Sequence, residues 1–336
     1  MITILIPTYN RPLDFKNALS SLYIQTYKNF KVVVVDDCST KTNLKQIENI
    51  CNEFPNLNIT LLKNKTHLGC GGNRQIGYEY IKEHPTKYLM FLDSDDMYYA
   101  QTVERLFNCA ETNNADIVSS NILSYIADNW HENIIEAERS KTWLHGKIYS
   151  LDFLIKNEVN FNKNLETNED LNFNLIAFAK TKNTFLLKEI LYLWKNNKDS
   201  ITHSTDSIYQ QHKCGSIDYI EALYQAWLCA KDSVIIKANI LNLYNFYQIG
   251  VAYKLITKEI DEHIYELLHD EDIMDAVVNI YKIDTDQTFK QWIKDGDNLL
   301  FFGQTFGQWL MKYYTREEIL AAIKRSKEKD DKEWSS

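Results

Sequence analysis

The run Asp93-Ser94-Asp95-Asp96 puts three carboxylates into four consecutive residues, directly after the apolar stretch Tyr88-Leu89-Met90-Phe91-Leu92. Asp93 and Asp95 are two apart, so while the chain stays extended their carboxylates leave it on the same side. Oxygen ligands concentrated at a strand tip suit a hard divalent cation, Mg2+ or Mn2+, which keeps some waters and bridges to phosphate oxygens of a substrate. Such an ion would neutralise charge developing on a diphosphate leaving group. The plainer reading is a surface turn ahead of a helix, since Asp begins turns and caps helices.

Two other polar clusters follow apolar runs in the same way: Pro7-Thr8-Tyr9-Asn10-Arg11 after residues 2–6, and Asp36-Asp37-Cys38-Ser39 after residues 31–35. Each alone reads equally well as turn or cap; three together are harder to assign to turns. The Gly-rich stretch Leu68-Gly69-Cys70-Gly71-Gly72-Asn73-Arg74 would let backbone approach a pyrophosphate and Arg74 pair with phosphate. Its alternative is a flexible loop with a structural Arg. Asn168-Glu169-Asp170 reads as a helix start, with Asn168 as cap and an acidic pair favoured by the macrodipole. His145 and Lys147, in Trp143-Leu144-His145-Gly146-Lys147, and Trp194 are candidate acceptor contacts, and His203 is a candidate metal ligand. A structural or solvated histidine, and a core tryptophan, are the bland readings of these.

The elements that must position these residues alternate. Residues 2–6, 31–35, 59–62 and 88–92 are short, β-branched or apolar runs, as in strands buried on both faces. Between the first two, Phe15, Ala18, Leu19 and Leu22 share one helical face behind Pro12, which suits a first turn. Leu44, Ile47, Ile50, Cys51 and Phe54 mark a second helix, residues 72–82 a third, and Val103, Leu106, Phe107 and Ala110 a fourth. Strand-helix alternation predicts an α/β fold with a mostly parallel sheet, and ligands of an open parallel sheet bind beyond the carboxyl ends of its strands. All three polar clusters fall there. From about residue 206 the pattern becomes helical and rich in Tyr, Leu and Ile, which divides the chain into 1–205 and a helical 206–336. Helical periodicity turns most of the aromatics there inward, with a dimer interface or acceptor groove as the lesser possibility.

Composition narrows the choice of function. The 336 residues carry a formal net charge of −9, which disfavours non-specific nucleic-acid binding without excluding a local basic groove. Six cysteines without C-x-x-C spacing read as reduced thiols. The chain opens on a strand, not on a signal peptide, and no apolar run nears the roughly 20 residues of a membrane span, so a cytoplasmic location is expected. A P-loop Gly-Lys-Ser/Thr is lacking, and the first strand is followed by Pro7-Thr8-Tyr9 where a dinucleotide fingerprint would place glycines.

Taken together, several stretches resemble the inverting family 2 glycosyltransferases of the GT-A fold, of the kind found in bacteria and phages. They are Ile4-Leu5-Ile6-Pro7-Thr8-Tyr9-Asn10-Arg11, Gln25-Thr26-Tyr27, Val35-Asp36-Asp37-Cys38-Ser39, Asn73-Arg74-Gln75-Ile76-Gly77, Phe91-Leu92-Asp93-Ser94-Asp95-Asp96, Gly146-Lys147-Ile148-Tyr149 and Glu169-Asp170-Leu171. Asn73 and Gln75 stand where that family usually has Ala and Asn. The resemblance covers roughly residues 1–203 and implies a Rossmann-like GT-A domain with a helical extension. It implies that Pro7, Thr8, Tyr9, Asn10, Arg11, Asp36, Asp37, Arg74, Asp93 and Ser94 bind the donor, Tyr9 and Asp37 holding the nucleobase and Asp93 the ribose. Asp95, with Asp93, Asp96 and His203, would hold the metal. Asp170, with Glu169 beside it, would be the catalytic base. The activity implied is transfer from a nucleoside diphosphate sugar, usually UDP-linked, to a hydroxyl of a glycan, glycolipid or other acceptor. Modified bases of DNA are an alternative acceptor, and a nucleotidyltransferase or an inactive nucleotide-sugar-binding module are alternative functions.

Overall fold

A computed structural model describes residues 1–126, 131–195, 208–240, 242–243, 246–247, 250, 254–270, 273–280, 308–309 and 311–333. The chain divides into two compact units, Met1–Gln211 and His212–Ser336. The boundary expected at residues 205–206 lies outside the described residues, as does His203.

In the first unit, β1 (Ile2–Thr8), β2 (Phe30–Asp36), β3 (Asn58–Lys63) and β4 (Tyr88–Phe91) form a parallel group in the order β3-β2-β1-β4. Helices cover both faces of such a sheet, and β1, β2 and β4 are accordingly apolar almost throughout. Between them lie α1 (Pro12–Tyr23), α2 (Lys41–Asn52) and α3 (Gly69–Glu83). Pro12 opens α1, where its missing N–H costs nothing, and the helix buries Phe15, Ala18, Leu19 and Leu22. Thr40 caps α2 by accepting the Asn43 N–H.

Beyond β4 the sheet is mixed. β5 (Met97–Tyr98) and α4 (Thr102–Asn113) precede β6 (Ile117–Ile126), β7 (His131–Ile135) and β8 (Lys147–Ser150). Then come α5 (Leu151–Lys156), α6 (Glu169–Lys180) and β9 (Thr184–Lys195). β8 pairs antiparallel with both β4 and β6, β9 runs parallel to β6, and the order continues β4-β8-β6-β9-β5, with β7 on β6. The mostly parallel sheet expected from strand-helix alternation therefore describes the first four strands. Period alone did not reveal that β8 enters the sheet from the opposite direction.

The parallel register brings the strand ends together. Thr8 lies beside Asp36 and Leu5 beside Phe91, so Tyr9, Asp37 and Asp93 leave the sheet along one edge. Backbone bonds from Asp37 N–H to Thr8 O (2.9 Å) and from Leu92 N–H to Leu5 O (3.1 Å) extend this alignment into the loops.

In the second unit every described element is a helix: α7 (Ile208–Cys229, which begins in the first unit), α8 (Val234–Ile240), α9 (Lys258–Leu268), α10 (Ile273–Ile280) and α11 (Arg316–Glu333). Tyr219, Tyr224 and Trp227 on α7 are buried, as helical periodicity predicts, and Tyr247, Trp309, Tyr313 and Tyr314 are buried as well. Among the described residues no helix is long and apolar enough to cross a membrane.

Candidate active site

At the end of β1, Asn10 adopts a left-handed backbone (φ 53°) and binds the loop after β2: its N–H donates to Ser39 Oγ (2.8 Å) and its Oδ1 accepts the Thr40 N–H (2.8 Å). Tyr9, beside it, is 42% exposed. Thr8 and Asp36 are buried beneath these loops, and Asp36 Oδ2 accepts the Ser39 N–H at 3.0 Å. Any donor contact by these two residues has to be made from this buried position. Pro7 lies within β1 and Ser94 is buried in the acidic turn, so both shape backbone.

Asp37 is buried and its carboxylate is crowded with donors. Oδ1 accepts Asn64 Nδ2–H and the Leu68 N–H, both at 2.9 Å; Oδ2 accepts the Gly69 N–H at 3.0 Å and faces His67 Nδ1 at 2.8 Å. Asn64 and His67 were not singled out in the sequence; the signal for His67 is its place just ahead of the glycines. Those glycines form the first turn of α3 and are not a loose phosphate-binding loop. A Cβ on Gly71 would stand 2.5 Å from Asn162 O and 2.8 Å from Leu165 O, so the residue is glycine because the segment before α6 packs on it.

The acidic turn is distributed among different partners. Asp95 pairs with Arg11. Asp96 is buried, with Oδ2 accepting Tyr192 Oη–H at 2.6 Å and Oδ1 the Lys195 N–H at 2.9 Å. Asp93 meets Arg74 Nη2–H at 2.5 Å and His145 Nε2 at 3.3 Å. Arg74, itself buried, turns its other Nη to Glu169. One guanidinium thus joins the turn after β4 to the start of α6, and this is the contact that gathers the distant motifs into one site. It also means that Arg74 spends both terminal nitrogens on carboxylates, where a phosphate contact was expected.

One arginine cannot neutralise two carboxylates, one buried and one partly so, and the surplus is uneven. Burial raises Asp93, yet the charges of Arg74 and His145 outweigh it and hold that carboxyl below the usual range. Burial pushes Glu169 up to about 7 despite Arg74, with Asp170 adding to the rise. Asp95 and Asp170 are raised as well, by burial first, and Asp96 is pushed up to about 8. Asp170 is half-buried and its Oδ1 accepts the Leu171 N–H at 2.7 Å. Asn168 occupies the cap position of α6 in a left-handed conformation without a capping side-chain bond, so the expected Asn cap is positional only.

This excess of raised carboxylates is the electrostatic setting that a divalent cation relieves. Asp93, Asp96 and His145 each offer a ligand atom within 4.8 Å of the others, so the donor set fits a hard cation, while Asp95 in the same turn is paired with Arg11. The histidine beside the acidic turn is thus His145, expected instead as an acceptor contact.

His145 is held in an aromatic wall. Its ring stacks on Tyr192 (4.8 Å between centroids) and on Trp194 (6.1 Å), and Trp143 lies 5.4 Å from Trp194. Tyr192 was hidden in the sequence within an apolar run. Gly146, at φ 63°, makes the turn after His145, where a Cβ would meet Ser120 Oγ at 2.7 Å. Lys147 is fully buried and donates to the carbonyls of Ser140 (2.7 Å), Trp143 (2.6 Å) and His145 (3.4 Å). It therefore cannot touch an acceptor, which corrects that expectation; it fastens the segment carrying Trp143 and His145. Burial draws its pKa down to about 7, against the charge of Asp170. Lys147→Met leaves these carbonyls without their donor and is expected to destabilise the protein by about 1–3 kcal/mol. Urea unfolding measures this, and a midpoint at the wild-type value would show that the segment holds itself.

Residues 3–167 match the profile described as Glycosyl transferase family 2. An uncharacterised glycosyltransferase of Haemophilus influenzae is 33% identical over 113 residues, which is 34% of this chain and 35% of that protein; the same comparison spans only 18% of a Rickettsia felis relative. Among solved structures, S. aureus TarS 1-349 in complex with UDP-GlcNAc superposes with a TM-score of 0.62 at 18% identity, covering 98% of this chain and 91% of that one. A mannosyltransferase from Pyrobaculum calidifontis, solved with GDP-Man and Mn2+, gives 0.51 at 14% identity over 84% and 87%. The architecture is the GT-A fold of these glycosyltransferases, extended by C-terminal helices. Residues 3–167, within the N-terminal unit, form a glycosyl transferase family 2 domain.

Proposed function

We propose that the protein is an inverting glycosyltransferase that moves a sugar from a nucleoside diphosphate donor, of the UDP-sugar type, to a hydroxyl of a glycan or glycoconjugate. The observation that carries this reading is the double grip of Arg74 on Asp93 and Glu169, which sets Asp170 next to the strand-end carboxylates. Tyr9 offers an exposed ring for a base to stack on, with Asp37 below it as hydrogen-bond acceptor. Asp170, with its carboxyl raised by burial, takes the proton from the acceptor hydroxyl as that oxygen attacks the anomeric carbon. Asp93, Asp96 and His145 would hold a divalent cation, Mn2+ or Mg2+, which when bound supplies positive charge to the departing diphosphate. Trp143, Trp194 and His145 flank the same carboxylates and present ring faces suited to the apolar side of a sugar. The UDP-GlcNAc bound by TarS and the Mn2+ of the Pyrobaculum enzyme support the donor class and the ion.

Thermal unfolding with a panel of UDP-, dTDP- and GDP-sugars, with Mn2+ and then with EDTA, tests the reading. A ligand that binds only the folded state at 100 times its Kd adds about 2.7 kcal/mol. A rise in Tm with one donor class that EDTA abolishes is expected. No shift with any nucleotide sugar would end the proposal.

A further inference from the structure

The nucleobase end of the site is already occupied, by the protein itself. The His67 ring lies on Tyr9 with centroids 4.3 Å apart and planes 30° apart, and its Nδ1 reaches Asp37 Oδ2 at 2.8 Å. The same nitrogen is 3.3 Å from the Asp37 carbonyl oxygen. Both partners are acceptors once the carboxylate is ionised, so Nδ1 carries the hydrogen and donates it. Tyr9 and the His67 side chain are 42% and 55% exposed, whereas the Asp37 side chain is 3% exposed. The other donors to Asp37 are two backbone N–H groups of the tight segment entering α3 and the amide of Asn64, which is itself bonded to Asn73.

We propose that His67 is a placeholder for the nucleobase: a flat ring that stacks on Tyr9 and gives one ring N–H to Asp37 until a base with the same two features displaces it. This rests on the nucleotide-sugar reading above and goes beyond it, because it names the competitor a donor must expel. Sandwiching a base between Tyr9 and His67 would need the two rings about 7 Å apart, twice the roughly 3.5 Å contact distance of carbon atoms. The observed spacing leaves no room for that arrangement, so a base on this face of Tyr9 must displace the histidine. Of the four donors on Asp37, His67 alone is a mostly exposed side chain, and it can leave without opening the start of α3. A base with an N–H between two ring carbonyls restores the donated bond; one that presents a bare ring nitrogen there would set its lone pair against the carboxylate.

A placeholder seated in nine of ten free molecules weakens apparent nucleotide affinity about tenfold, by the population of the binding-competent state. Isothermal titration of UDP with Mn2+ into the full chain, wild type and His67→Ala, therefore reads the proposal directly. His67→Ala is expected to bind up to about tenfold more tightly, the reverse of what loss of a binding contact gives. Binding to His67→Ala alone also supports the placeholder. Wild-type affinity or weaker in His67→Ala, with UDP still bound by the wild type, overturns the placeholder and leaves the nucleotide site standing. UDP bound by neither protein overturns both. Nitrogen-15 spectra of the wild-type imidazole provide a second measure if the variant does not fold: the Nδ1 signal is expected to lose its Asp37 bond as UDP is added, and a signal that stays put at saturation overturns the proposal.

Discussion

Asp170→Asn is expected to lower turnover by about 10²- to 10⁴-fold, the contribution of a positioned general base. The substitution keeps the shape of the side chain and its bond from the Leu171 N–H, so it removes proton affinity and little else. Because burial raises the Asp170 carboxyl in the folded protein, deleting the ionised form relieves a cost, and Tm is expected to stay level or rise. Donor affinity is expected to remain, since Asp170 acts on the acceptor. In the wild type the base works only when deprotonated, so the rate falls on the acid side, and the raised carboxyl moves that limb above the ordinary Asp value of 3.8. The measurement is release of nucleoside diphosphate in the presence of acceptor, over pH, alongside donor titration. Turnover near wild type in a folded Asp170→Asn protein would remove the base from Asp170.

The N-terminal elements were legible because burial on both faces of a parallel sheet writes itself as uninterrupted apolar runs, and because ligands gather at strand ends. Residues 2–6 and 31–35 sit within strands, the run 88–92 forms a strand as far as Phe91, and Tyr9, Asp37 and Asp93 do meet at one edge. What the sequence could not supply is which partner each carboxylate takes. Asp93, Asp95 and Asp96 look interchangeable in one turn, yet they face Arg74, Arg11 and Tyr192, residues separated from them by 19, 84 and 96 positions. Lys147 reads as a polar residue near the site; its burial follows from the antiparallel insertion of β8, which no local period announces. His67 sits in a stretch read for its glycines, and only the fold shows its ring over Tyr9.

Arg74→Met is expected to destabilise the protein by about 3–5 kcal/mol, the cost of leaving buried carboxylates without their cation. Arg74 and Glu169 side chains are each 7% exposed and Asp93 24%, so solvent screens this cluster weakly. The loss should depend on pH in a direction the two partners fix. Asp93 is held below its usual value chiefly by Arg74, so its contribution exists above the unfolded value of 3.8 and is lost as pH falls through the folded one. Glu169 is raised from 4.5 to about 7, so ionising it costs stability progressively as pH rises through that window. Without the guanidinium Asp93 loses the interaction that holds it down and Glu169 rises further, so keeping either ionised costs more as pH rises. Urea unfolding should therefore show a larger deficit for Arg74→Met near pH 8 than near pH 5, where protonation spares the variant. Adding Glu169→Gln should recover part of the loss at the higher pH, because it removes one of the two stranded charges, while Glu169→Gln alone leaves Arg74 to Asp93 and costs less than Arg74→Met. An equal deficit at both pH values, with no recovery in the double variant, would mean that Arg74 stabilises the fold by packing and not by charge. The joint between the acidic turn and α6 would then have to be sought in the packing of Gly71 against residues 162–165.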